Sequence, residues 1–86
     1  MSVEQVKAHI AAGARDADVA LGLLAKVMDT VDDALRGARH TTHDSQHPKV
    51  TDGLGKLGQA KTELEKITAL LRTSIQAARN YARTLG

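Results

Sequence analysis

The chain has 86 residues and a mass of 9.1 kDa, which allows one small domain and excludes most enzyme scaffolds. Hydrophobic residues make up 42% of it, yet Tyr81 is the single aromatic and there is no cysteine. The expected core is therefore a thin seam of Ala, Val, Leu and Ile, with no disulfide, thiolate nucleophile or cysteine zinc site. Formal charge is +2 and the pI is near 9.2, too mild a basicity to argue by itself for nucleic acid.

From the N-terminus, every third or fourth residue is apolar or glycine: Val3, Val6, Ile10, Gly13, Ala17, Ala20, Leu24, Val27, Val31, Ala34 and Ala38. This alternating spacing is that of a heptad seam and predicts one helix over about 3–38, not strands, whose period is two. A second row, Ala14, Leu21, Met28 and Leu35, runs beside the seam and widens the stripe beyond what one partner helix can cover. Ser2 followed three residues later by Gln5 fits a capping box at the helix start.

Residues 39–47 carry no apolar side chain and read as a hinge. Pro48 suits the first position of a second helix, because its missing N–H has no intrahelical partner there. That helix is expected over 48–85, with the seam Val50, Gly53, Leu57, Ala60, Leu64, Ile67, Leu71, Ser74, Ala78, Tyr81 and Leu85. Gly53, Gly55 and Gly58 crowd its first turns and are expected to let that end fray.

A short hinge makes the helices antiparallel neighbours, pairing residues whose numbers sum to about 91 across the hairpin. Leu24 then meets Ile67, Val27 meets Leu64, and Ala17 and Gly13 meet Ser74 and Ala78 at a waist of small side chains. The Leu21, Met28, Leu35 row and its counterpart Leu54, Ile75 and Ala82 are left needing cover. The expected architecture is thus all-α, a long antiparallel two-helix hairpin that dimerises into a four-helix bundle. Leu21, Leu24, Met28, Leu35, Leu54 and Ile75 are the expected interface residues.

Chemistry is sparse. His40, His43 and His47, with Asp44 nearby, have a spacing that could hold a divalent transition metal, or they could simply form a polar or pH-responsive hinge. His43, Asp44 and Ser45 are the residue types of a catalytic triad, but triad members converge from separate segments, and consecutive hinge residues cannot. Asp29, Asp32 and Asp33 have no cleft around them, and Lys61 is expected opposite Asp29 as an ordinary surface pair. Arg72, Arg79 and Arg83 share a face. They could meet an anionic partner, or pair with Asp16 and Asp18 of the first helix. No aromatic residue interleaves them for base stacking, so no nucleic-acid partner is expected. No catalytic residue and no cofactor is assigned.

No stretch approaches the ~20 apolar residues of a membrane span, and no charged-then-apolar leader opens the chain. The protein is therefore expected to be soluble, either cytoplasmic or secreted without a cleavable signal peptide. The layout of two long helices around a central hinge resembles the WXG-type hairpin proteins of actinobacterial type VII secretion, although the chain has no Trp and Leu85 stands where their Tyr-x-x-x-Asp/Glu motif ends. The opening Ser2-Val3-Glu4-Gln5-Val6-Lys7-Ala8 and the closing Ala77-Ala78-Arg79-Asn80-Tyr81-Ala82 are similar to short, Ala-rich actinobacterial hairpin proteins. That resemblance implies a fold and no activity. The function expected is a non-enzymatic interaction module that pairs with itself or a related hairpin. The alternatives are a metal- or pH-responsive binder through the hinge histidines and a peripheral membrane binder using the wide apolar stripe with the arginine face.

Overall fold

The computed structural model covers all 86 residues and contains two helices, α1 (Val3–Thr42) and α2 (Pro48–Thr84), with no strand. They pack against each other as a hairpin, a rod of 63 × 16 × 16 Å. No helix is long and apolar enough to cross a membrane.

Both helix starts are capped. Ser2 Oγ accepts from the Gln5 N–H at 3.1 Å while Gln5 Oε1 accepts from the Ser2 N–H at 2.9 Å, the reciprocal pair expected of Ser-x-x-Gln. At α2, Pro48 occupies the first turn and the His47 ring accepts from the Lys49 N–H at 3.1 Å. α1 runs on past Ala38, where its apolar periodicity ends. The Thr41 hydroxyl donates to the Gly37 carbonyl, and the His43 ring N–H donates to the His40 carbonyl, so side chains bond carbonyls of the last turns, while Thr42 is half-buried beside α2. The connection between the helices is correspondingly shorter than the 39–47 hinge.

The half-buried and buried positions redraw the seam. The regular series among them is Ile10, Ala14, Ala17, Leu21, Leu24, Met28, Val31, Leu35 and Ala38 on α1, and Val50, Leu54, Leu57, Lys61, Leu64, Thr68, Leu71, Ile75, Ala78, Ala82 and Leu85 on α2; Val6, Lys7, Ala12, Ala20, Asp32, Thr42 and Gly58 are half-buried beside it. Both sets keep strict four-three spacing, so in heptad terms they are the a and d rows. The expected seam combined the d row with the wrong neighbour. Gly13, Val27 and Ala34, and on α2 Gly53, Ala60, Ile67, Ser74 and Tyr81, are exposed, and they form the g row. The row expected to be left over, Ala14, Leu21, Met28 and Leu35, is the a row and closes the hairpin itself.

Side-chain size explains the choice. On α1, packing a with d covers Leu21, Met28 and Leu35, whereas packing g with d would cover Gly13, Ala20, Val27 and Ala34 and remove less apolar area from water. Only Ala14, Leu35 and Ile75 are more than nine-tenths buried, as two helices alone can enclose little. The waist of small side chains is real but rotated: Ala14, Ala17, Ala78 and Ala82 make it, while Gly13 and Ser74 lie outside.

Candidate protein-interaction face

Placing the seam correctly divides the hairpin into two unlike sides. In an antiparallel pair, the e rows of both helices flank the seam on one side and the g rows flank it on the other. The e side is charged, with Asp18, Asp32 and Arg39 on α1 and Glu65, Arg72 and Arg79 on α2. Both ion pairs between the helices involve it. Lys61 Nζ reaches Asp32 Oδ1 at 2.8 Å, and Arg79 reaches Asp18 Oδ2 at 2.7 Å. The expected partner of Lys61 was Asp29; the register brings Asp32 there instead, and Asp29 borders a shallow groove with Glu65 and Arg72. The groove's floor is the seam itself, Leu21, Leu24 and Met28.

Lys61 sits at an a position. Its ammonium emerges at the seam's edge, where the hydrogen bond to Asp32 and that carboxylate's charge raise its pKa above the usual 10.5. Arg79 takes the partner foreseen for it, Asp18, and Arg83 hydrogen-bonds Asn80 on its own helix. The arginine face is therefore partly consumed in holding the hairpin together.

The g side is the opposite in character. Its positions, Val6, Gly13, Ala20, Val27, Ala34 and Thr41 on α1 and Gly53, Ala60, Ile67, Ser74 and Tyr81 on α2, include no charged residue. The adjoining c rows add Leu23 and Leu70. Leu23, Val27, Ile67, Leu70 and Tyr81 are 57%, 47%, 48%, 68% and 56% exposed. The Asp32–Lys61 and Asp18–Arg79 contacts bracket the first four of these, which therefore share the middle of the rod. The hydroxyls nearest these side chains are satisfied on their own helix: Thr30 Oγ1 donates to the Lys26 carbonyl at 3.1 Å and Ser74 Oγ to the Leu70 carbonyl at 2.9 Å. Covering them strands no hydrogen-bonding group.

The six residues expected at a partner interface, Leu21, Leu24, Met28, Leu35, Leu54 and Ile75, all lie in the intrachain seam: Leu35 and Ile75 are buried and the other four half-buried. The apolar side chains left exposed outside the seam include Leu23, Val27, Ile67, Leu70 and Tyr81. Their signal was present in the sequence, since three adjacent rows of α1 are apolar, but two of those rows were assigned in the wrong order.

The hinge histidines do not converge. His40 and His43 stack with ring centroids 6.4 Å apart. His43 uses one ring nitrogen on the His40 carbonyl at 2.9 Å and faces Asp44 with the other at 3.1 Å. His47 spends Nδ1 on the cap of α2. No group of three or more His, Cys, Asp or Glu side chains is placed to hold a metal ion. Ser45 Oγ accepts from the His47 N–H at 3.3 Å, ahead of the cap of α2. No family model, curated protein or solved structure matches the chain.

Proposed function

We propose that the chain is a non-enzymatic helical interaction module that packs its uncharged g rows, with Leu23 and Leu70 beside them, against another helical hairpin, a second copy or a related chain, closing a four-helix bundle. The observation that carries this reading is the sidedness of the hairpin: ion pairs hold the helices together on one side, while the other presents Leu23, Val27, Ile67, Leu70 and Tyr81 to solvent. Contiguous exposed apolar side chains of this kind mark a surface that binds. The grooves are open, and their floors are seam residues, so the architecture supports a docking surface more than a pocket chemistry. A secretion-associated, WXG-like setting belongs to the same proposal and rests on the hairpin layout alone.

Site-specific photo-crosslinking in the native host tests it. A crosslinker at Leu23 or Leu70 should give one discrete protein adduct, whereas one at Thr62 or Ala69, on the other side of α2, should not. Adducts of equal yield from both sides, or none from the stripe, would refute the reading.

A further inference from the structure

We infer that the occupant of the stripe is a second copy of this chain, docked by a two-fold axis that passes through the Leu23, Val27, Ile67, Leu70 cluster. The inference rests on the reading that this face is where the chain binds, and it adds the partner and the symmetry. The first argument is area. The chain exposes 6358 Å², whereas a compact monomer of its mass exposes about 4,900 Å². The excess, about 1,500 Å², exceeds the roughly 800 Å² each partner contributes to a standard interface. The stripe can take that contact. From Val6 to Ala34 it runs about 40 Å along the helix, on a rod 16 Å across.

The second argument is self-compatibility. An isologous contact brings every residue of a face against that same face, so a charged face repels itself and an uncharged one does not. The g rows carry no charge. At the rim, Lys56 is paired with Asp52 at 3.0 Å and Lys66 with Glu63 at 3.5 Å, so the charges flanking the stripe on α2 are locally balanced. The third argument is position. The apolar cluster lies midway along the rod, and a two-fold axis through the middle returns the cluster onto itself. Placed near one end, it would meet its own copy only in a short overlap.

Sedimentation equilibrium across a dilution series is the deciding measurement. The wild-type chain should sediment at twice 9.1 kDa at tens of micromolar and dissociate on dilution. Val27→Glu and Leu70→Glu place a carboxylate on exposed positions, so helicity by circular dichroism should persist while dimer affinity falls more than tenfold. Ala69→Glu adds the same charge to the neighbouring residue of α2, on the other side, and should leave the affinity unchanged. Tyr81 provides a second readout, because its emission should change on dilution of wild type and stay constant in Leu70→Glu. A wild-type chain that remains at 9.1 kDa, whether or not it adsorbs to anionic vesicles, overturns the second copy while leaving the crosslinking test of the face standing. A dimer indifferent to Val27→Glu and Leu70→Glu, or one weakened equally by Ala69→Glu, overturns the placement.

Discussion

Ile67 and Ile75 are the same residue on the same helix, and the rotation of the seam makes opposite claims about them: Ile75 is 6% exposed and Ile67 48%. Truncation of each to alanine removes three carbons and gains the same few tenths of a kcal/mol in helix propensity. At Ile75 the lost transfer energy is about 2.4 kcal/mol at ~0.8 per buried carbon. A two-helix seam can collapse around the vacancy, so the net cost should sit at the low end of the usual range, about 2 kcal/mol. At Ile67 half the side chain is already in water and the net cost falls below about 1 kcal/mol. With roughly 4–8 °C per kcal/mol for a domain of this size, Ile75→Ala should lower Tm by about 8–16 °C and Ile67→Ala by less than half as much. The assay is thermal unfolding by circular dichroism at the lowest workable concentration, where a second copy contributes least. Raising the concentration should widen the Ile67→Ala deficit and leave that of Ile75→Ala nearly constant. Equal losses at high dilution, or a larger loss at Ile67, would show that α1 meets α2 through the d and g rows and would refute the seam described above.

Gly55 lies inside α2, and a Cβ there meets nothing within 4 Å, so Gly55→Ala should stabilise the chain by about 1 kcal/mol, read as a higher Tm. His47→Asp should keep the cap on the Lys49 N–H and add a negative charge to a first turn that has none. Hydrogen exchange should show slower opening of the first turns of α2, and faster opening in His47→Ala. The folded pKa of Lys61 is raised above 10.5, chiefly by its hydrogen bond to Asp32. The contribution of this pair is therefore fully present below 10.5 and lost as pH rises through the higher folded value. A melting series at alkaline pH should show that loss in wild type and not in Asp32→Asn.

Some of the fold could be read directly from the residues, and the failures have physical causes. Four-three periodicity specifies a helix whichever pair of rows forms the seam, and Ser2 with Gln5 specifies a cap, so the two helices and the start of α1 were legible. The choice among three apolar rows was not, because periodicity counts apolar positions and ignores their size. Lys61 and Thr68 made the true a row of α2 look polar, whereas Ala60 and Ile67 made the g row look like core. A lysine can occupy such a position because its stem packs while its ammonium leaves the seam for Asp32. The last turn of α1 was missed because its support comes from Thr41 and His43 bonding to the backbone. The metal reading of His40, His43 and His47 took spacing for convergence; His43 turns one ring nitrogen to the His40 carbonyl and the other to Asp44, and His47 spends Nδ1 on the cap of α2.

Charge and size together select the rotation of the helices, and the selection has a consequence for binding. Turning each helix until g replaces a would bury Gly13, Ala20 and Ala34 in place of Leu21, Met28 and Leu35, and would carry Asp18 and Asp32 away from Arg79 and Lys61. Half-exposed ion pairs such as Asp18–Arg79 add little to stability, so side-chain size is the larger influence and the charges favour the same rotation. With the larger side chains drawn inward on one side and the charges gathered beside them, the third apolar row has no partner within the chain. The feature that made the seam ambiguous in the sequence is thus the feature that leaves an exposed apolar row in the structure. Glycine and alanine would suit that row in the proposed bundle for a further reason: Gly13, Ala20, Ala34 and Ala60 would let another helix approach closely at intervals, while Val27, Ile67 and Tyr81 would supply the area between them.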